Sequence, residues 1–463
     1  MKNNSEKNSK IVTRFAPSPT GLFHIGSLRT VLFNYLFTRH HGGTYLLRIE
    51  DTDRERSKKE YEDDIMSCLE WLGLKHDGFY RQSEHVGEHR KILEKLIAED
   101  KAYVSNEADV EREIVSAKAV TENRRESVIR FRNPNKVVTF NDLILGEISV
   151  DTTDLGDFVI AKDLDTPLYN FAVVVDDISM GITHVIRGQD HISNTPRQIL
   201  MYQALGESVP NFGHIPLILD TDKSKLSKRK NPEKVSVTNY KNLGYLPEAL
   251  LNFMALIGWN PGTEQEIFTL DELVGEFDLS KVQKSSGVFN VEKLNWLNRE
   301  YLKKLPKEDF VKYVLQHITP AVKGVDNFSI GKLEALMPAI EDRISNASDI
   351  TLMCDSGELD YYFKTPVYEA KMIYWKDSPL ELIESNLAQI IELLTPLTDF
   401  TKESVKEALW TYAESVGRGT LLWPMRVALS GRDKSPDPFI LAQILGKEET
   451  LARMRIAISK LSS

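Results

Sequence analysis

The apolar positions of the first hundred residues alternate between short unbroken runs and longer stretches with helical spacing. Ile11 to Phe15 predicts a buried strand. Ala16 to Gly26 holds two prolines and two glycines and predicts irregular chain, and Ser27 to His41 has helical apolar spacing that stops at Gly42-Gly43. Thr44 to Ile49 then reads as a strand and Glu55 to Leu72 as a helix. This βαβα order predicts a parallel, doubly wound sheet, with ligands at the carboxyl ends of its strands.

From Tyr103 to about Asp177 the rhythm shortens to β-rich pieces, Val128 to Arg132, Val137 to Phe140 and Asp157 to Ala161, with one helical stretch from Asp109 to Ala119. Such a segment predicts an insertion into the α/β domain. The earlier rhythm returns with the strand His184 to Arg187, the helix Ser193 to Leu205 and the strand His214 to Leu219, and it ends on the basic loop Lys223 to Lys230. Beyond about Val235 nearly everything has helical period, including Pro247 to Ile257, Lys332 to Ile340, Pro379 to Leu394 and Lys402 to Ser415, so an all-α region is expected. No internal repeat interrupts this order.

Composition narrows the class. At 463 residues the chain exceeds one hydrophobic core, so roughly two to four domains are expected. Met1 to Lys10 is polar, without the apolar centre of a secretory signal, and reads as a disordered leader. No apolar run reaches the ~20 residues of a membrane span, and the expected location is the cytoplasm. Cys68 and Cys354 alone cannot build a disulfide framework or a four-cysteine zinc knot. The net charge of −10 repels nucleic acid at long range, so any RNA partner must be held by a local basic face.

Two segments carry candidate chemistry. Pro17-Ser-Pro-Thr-Gly-Leu-Phe-His-Ile-Gly-Ser27 joins strand to helix, where glycines admit a nucleotide and a helix start offers free N–H groups; by itself it is equally readable as a capped surface turn. Lys223-Ser-Lys-Leu-Ser-Lys-Arg-Lys230 puts five cations in eight residues, which could close over a polyphosphate or simply face solvent. In this order, on the two halves of a split α/β domain, they resemble the HIGH and KMSKS signatures of class I aminoacyl-tRNA synthetases: His24-Ile-Gly-Ser27 and Lys225-Leu-Ser-Lys-Arg229. Ser27 and Arg229 depart from those signatures as glutamyl members of the class do. Arg14-Phe-Ala-Pro-Ser-Pro-Thr-Gly21, Leu47-Arg-Ile-Glu-Asp-Thr-Asp53 and Val185-Ile-Arg-Gly-Gln-Asp-His191 are also similar to the bacterial glutamyl type.

The resemblance implies a Rossmann-like catalytic domain over residues 11–102 and 178–235, an acceptor-stem insertion over 103–177, a stem-contact helical domain over 236–310 and an α-helical anticodon-binding domain over 311–463. It implies ATP with Mg²⁺, L-glutamate and tRNA(Glu) as substrates, with activation waiting for bound tRNA, in a monomer. Catalysis falls to His24, Lys225 and Lys228, and ATP binding to these with Pro17, Thr20, Gly21, Gly26, Ser27, Leu226, Ser227 and Arg229. Glutamate falls to Arg14, Ala16, Ser18, Glu50, Tyr169 and Arg187. This agrees with elementary charge matching, since two carboxylates and an ammonium need at least two cations and one anion. The alternative for each arginine is a salt bridge to an acid such as Asp51 or Asp190, and Asp53 and Asp190 are expected to orient neighbours.

Arg124, Arg125, Arg130 and Arg132 are expected to meet the acceptor stem, and Arg343 the anticodon. Many glutamyl synthetases carry a zinc knuckle after the segment matching Lys101-Ala-Tyr103; Val104-Ser-Asn-Glu107 has no cysteine, so no metal site is expected. Gly417 to Gly431 and Ser435 to Phe439 resemble the anticodon-binding part, with Trp423 expected in the core. Rivals are a non-discriminating enzyme that also charges tRNA(Gln), a glutaminyl synthetase, a paralogue that glutamylates a modified base, and an inactive RNA-binding factor. The long helical tail argues against the second and third, and the retained His24, Lys225 and Lys228 against the last.

Overall fold

The computed structural model describes residues 10–106, 127–226, 232–325 and 328–462. By internal contacts the chain divides into two compact units, Met1–Leu297 and Asn298–Ser463.

The first unit is built on parallel strands. Val12–Phe15 pairs with Thr44–Ile49, which pairs with Gly78–Arg81, all parallel. A second parallel pair joins His184–Gly188 to Asn211–Ile215. The two pieces lie edge to edge, because Val12 N–H donates to Thr183 Oγ1 at 2.8 Å and Thr183 N–H to Val12 O at 3.0 Å. Chain order therefore reverses direction between Val12–Phe15 and His184–Gly188, the switch point at which doubly wound sheets open a crevice. Helix Ile25–His40 crosses the sheet with almost every apolar side chain buried, including Ile25, Leu28, Leu32, Phe33 and Leu36. That is the pattern of a helix covered on several faces.

The β-rich segment is present as a four-piece antiparallel sheet, Ala102–Asn106, Ser127–Phe131, Phe158–Asp163 and Thr166–Pro167, with a separate hairpin of Val137–Asp142 and Gly146–Asp151. The helix expected over Asp109 to Ala119 lies outside the described residues. Tyr169–Ser179 is a helix whose apolar residues Phe171, Val173, Val174 and Val175 join the core shared with Ile199 and Phe212.

Two elements differ from expectation. The strand predicted over His214 to Leu219 is two, Asn211–Ile215 and Ile218–Leu219, separated by Pro216, which has no N–H for the ladder. The helix predicted from Glu55 starts at Lys59, since Ser57 N–H donates to Asp53 O and Arg56 closes on Asp53, making a turn of the first four positions.

The second unit is helical throughout its described residues. Leu380–Leu394, Lys402–Val416, Arg418–Ser430 and Lys447–Leu461 bury Leu387, Leu409, Met425 and Met454 against one another. Arg453 is buried among them and donates to Tyr361 O at 2.6 Å and to Leu429 O, satisfying carbonyls near helix ends. Trp423, expected in the core, is half-buried: it packs against Trp375 and donates its indole N–H to Met372 O at 3.0 Å.

Candidate active site

A cavity of about 560 Å³ lies at the switch point, and both strand ends line it: Arg14 and Phe15 from one, Arg187 and Gly188 from the other. The loop predicted as irregular supplies Ala16, Pro17, Ser18, Thr20, Gly21, His24, Gly26 and Ser27, and Glu50 comes from the end of Thr44–Ile49. Tyr169 lines it too, as do Lys225 and Leu226, some two hundred residues beyond the first signature. Ser227, Lys228 and Arg229 lie outside the described residues.

Backbone contacts explain how the two signatures meet. Leu219 forms an isolated bridge with Lys225, and His24 forms one with Ser236, while Val237 N–H donates to Phe23 O at 3.0 Å. Asp220 receives Lys234 Nζ at 3.2 Å. The basic segment is thus anchored at both roots beside the first signature.

His24 is the N-cap of Ile25–His40. Its Nδ1 accepts from Ser27 N–H at 3.1 Å, and its Nε2 lies 3.0 Å from Ser27 Oγ. Since Nδ1 accepts, the proton of a neutral ring is on Nε2 and points to the hydroxyl. Ser27 therefore orients the imidazole at the start of a sixteen-residue helix, whose first-turn N–H groups and dipole favour an anion. A Cβ on Gly26 would stand 3.0 Å from His24 Nδ1, so any side chain here would crowd the ring and shift it by a few tenths of an ångström.

A buried charge network backs the part of the wall that Arg14 and Glu50 form. Arg14 Nε and Nη2 donate to Asp177 at 3.1 and 3.2 Å. Arg48, fully buried, donates to Oδ1 of the same carboxylate at 2.7 Å, the oxygen that Arg14 Nε also reaches, and to Glu50 Oε1 at 2.9 Å. Asp176 accepts from Gln82 and His89, each at 2.6 Å. Burial pushes the Asp177 carboxyl up, but Arg14 and Arg48 outweigh it and hold it below the usual range. Burial wins at Glu50, whose carboxyl is raised in spite of Arg48. The acid paired with Arg14 is Asp177 and not Asp51 or Asp190: Asp51 caps Ser83, and Asp190 lies near His191. Asp53 is engaged by Arg56 at the surface and does not line the cavity.

Arg187 differs from Arg14. It is buried without a carboxylate partner; Nε donates to His214 Nε2 at 3.2 Å, Nη2 to Thr195 Oγ1 at 2.8 Å, and Nη1 has no hydrogen-bond partner. Burial lowers its pKa. His191, whose Nδ1 meets the Tyr169 hydroxyl at 3.1 Å, is pushed down to about 4 by burial and by Arg187. Arg48, Asp177, His191, His214 and Asp142 were not anticipated from sequence. Only the pair Asp176-Asp177, closing the apolar run Phe171 to Val175, was a visible sign of buried acids.

The expected RNA contacts lie elsewhere. Arg130 donates to Asp157 O at 2.8 Å, and Arg132 pairs with Asp100 while stacking over Tyr103. Arg343 pairs with Glu358 in the second unit. Arg124 and Arg125 lie outside the described residues. Among the described residues no cluster of three or more His, Cys, Asp or Glu could hold a metal ion, and no helix is long and apolar enough to cross a membrane.

Comparison with known proteins agrees with this geometry. The family described as tRNA synthetases class I (E and Q), catalytic domain, matches residues 10–115 and 109–296, and an anticodon binding domain matches 290–458. The chain belongs to the class I aminoacyl-tRNA synthetases of the glutamate and glutamine branch, ATP-dependent ligases with the fold found here. Within that branch, curated relatives that match over nearly the whole chain are glutamate–tRNA ligases, two of which follow. The enzyme named glutamate–tRNA ligase 1 of Syntrophus aciditrophicus is 41% identical, over 99% of each chain. That of Desulforamulus reducens is 39% identical, over 97% of this chain and 99% of its own. A crystal structure of the glutamate tRNA ligase of Elizabethkingia meningosepticum, in complex with its amino acid, superposes with a TM-score of 0.84 at 32% identity, covering 98% of this chain and all of the other.

Proposed function

We propose that this chain attaches L-glutamate to tRNA(Glu) through a bound adenylate, using the cavity at the switch point for both steps. The α-carboxylate of glutamate attacks the α-phosphorus of ATP, the bond to the bridging oxygen breaks, and pyrophosphate leaves. A hydroxyl of the terminal ribose of tRNA then attacks the carbonyl of the adenylate, and AMP leaves. No protein nucleophile is needed, so the protein contributes position and charge. His24, Lys225 and Lys228 serve the phosphates: the charge that develops as pyrophosphate departs is met by the two lysines and by an N–H of the His24 ring, and Mg²⁺ brought by ATP would add its own positive charge. Arg14 with Tyr169 receives the side-chain carboxylate, Arg187 makes a second acidic contact, Ser18 orients the amino acid and Glu50 pairs with the ammonium.

The convergence of Arg14, Glu50, Arg187, His24 and Lys225 on one cavity of about 560 Å³ is the observation that carries this reading. The same proposal takes the enzyme as a monomer. In the same proposal the β-rich segment meets the acceptor stem, Arg343 lies in the anticodon-binding part, and no structural zinc is required. Glutamate-dependent pyrophosphate exchange and charging, run without tRNA, with tRNA(Glu) and with tRNA(Gln), test it. Charging of tRNA(Glu) alone, with exchange only when it is present, is the expected result; charging of both tRNAs would favour the non-discriminating enzyme.

A further inference from the structure

Arg187 is held by a chain of neutral and charged groups that ends in the hairpin. Its Nε hydrogen can only be donated, so His214 Nε2, 3.2 Å away, accepts it, and the single proton of a neutral ring stands on Nδ1. There it meets Asp142 Oδ2 at 2.6 Å. Asp142, at the end of Val137–Asp142, is itself fixed by the backbone N–H groups of Ile144, Leu145 and His214 at 2.9 to 3.2 Å. Leu143 N–H completes the dock by donating to Phe212 O at 2.8 Å. His214 and the Asp142 side chain have no exposed surface, and burial pushes the imidazole down although Asp142 opposes it.

We propose that His214 and Asp142 are positioning residues for the substrate: they aim Arg187 into the cavity while leaving its charge unneutralised. The contrast with Arg14 carries the argument. A carboxylate takes two nitrogens of Arg14 and with them much of its attraction for another anion. On Arg187, a residue that lines the cavity, a neutral imidazole and a hydroxyl fix the plane of the guanidinium, and Nη1 is buried with no hydrogen-bond partner. Asp142 stands one residue behind, fixing the tautomer and not the cation. The hairpin of the β-rich segment thereby takes part in the amino-acid pocket without touching it.

This inference rests on the assignment of Arg187 to a substrate carboxylate, and the test separates the two. Charging of tRNA(Glu) is measured on the full chain for His214→Phe, His214→Gln, Asp142→Asn and Arg187→Ala, with KM for glutamate and for ATP. His214→Phe keeps a ring beside Phe212 but removes the acceptor. Asp142→Asn keeps the shape: its oxygen stays with the backbone N–H groups, so its amide faces Nδ1 and drives the ring proton to Nε2, against the Arg187 donor. Both are expected to raise the glutamate KM by about ten- to a hundredfold, as misplacement of a binding group does, with the ATP KM within about twofold. His214→Gln, which retains an acceptor, is expected to recover most of the loss. Equal rises in both KM values, or an unchanged glutamate KM in Asp142→Asn, would overturn the positioning role even if His214→Phe fails to fold. If Arg187→Ala raises the glutamate KM and Asp142→Asn does not, the positioning role alone fails. If Arg187→Ala leaves the glutamate KM unchanged, the assignment of Arg187 fails first.

Discussion

Arg14 and Asp177 stand 163 positions apart in sequence and meet through two nitrogens and two oxygens at 3.1 to 3.3 Å. The same carboxylate serves Arg48, so Asp177 balances two buried cations at once. Asp177→Asn is expected to lower the stability of the N-terminal unit by about 3–5 kcal/mol, the usual result of stranding a buried charge, and to raise the glutamate KM because Arg14 loses its brace. Chemical denaturation followed with steady-state charging checks both. A variant with unaltered stability would refute the network.

Arg14→Ala tests the pocket itself. The glutamate KM should rise by about two orders of magnitude, which corresponds to about 2.7 kcal/mol of a charge-assisted, oriented contact, while the ATP KM changes little. Equal effects on both substrates would remove Arg14 from the amino-acid side of the cavity.

Lys225 lines the same cavity as Ile25, Gly26 and Ser27 at the start of Ile25–His40. Lys225→Ala should slow adenylate formation by about two to three orders of magnitude, as loss of a transition-state charge contact does, without weakening tRNA binding. Single-turnover activation and filter binding of tRNA separate the two quantities. Loss of tRNA affinity with normal activation would place Lys225 on the RNA and not on ATP.

Acid should destabilise this protein well before general denaturation. His191 is pushed down to about 4, so across the window from about 6.5 to 4 the unfolded chain takes up a proton that the folded chain refuses, and stability falls as pH drops. Asp177 and Asp142, where pairing overcomes burial, have lowered folded values; their stabilisation is present above the ordinary carboxylate range and is lost as pH falls through the folded values. Glu50, raised by burial, acts in the opposite sense. Unfolding midpoints from pH 7.5 to 4.5 should therefore decline on acidification, and His191→Gln should flatten the upper part of the decline. A rise in midpoint over this range would contradict the signs.

Gly419 offers a test in the second unit. A Cβ there would stand 2.5 Å from the Trp375 indole, at the close approach of Arg418–Ser430. Gly419→Ala gains helix propensity but must displace a ring packed on Trp423, so a net loss of about 1–3 kcal/mol is expected. Tryptophan fluorescence through the unfolding transition reads it directly.

The periodic elements were legible because their signal is local. Thr44–Ile49 was found at both ends, and the three helices named in the second unit, Lys332 to Ile340, Pro379 to Leu394 and Lys402 to Ser415, to within two residues, from apolar spacing alone. The meeting of His24 with Lys225 was legible only through the paired signatures, since neither loop identifies itself. Asp177, Arg48 and the Asp142–His214 couple were not legible: each gains its meaning from a partner 70 to 160 positions away, and nothing in a local pattern says which buried acid meets which arginine. Pro216 was in plain view, and the broken strand follows from its missing N–H.

The bridge between His24 and Ser236, with Val237 N–H on Phe23 O, has a meaning for synthesis. A chain leaving the ribosome presents its first signature early, yet the wall opposite exists only after some two hundred further residues, which at ordinary elongation rates take roughly 10 to 40 s. During that interval the cavity lacks the part of its lining that Lys225 and Leu226 supply. Substrate can reward folding only at the end, so the N-terminal strands must stay in register on their own apolar packing until the late segment arrives.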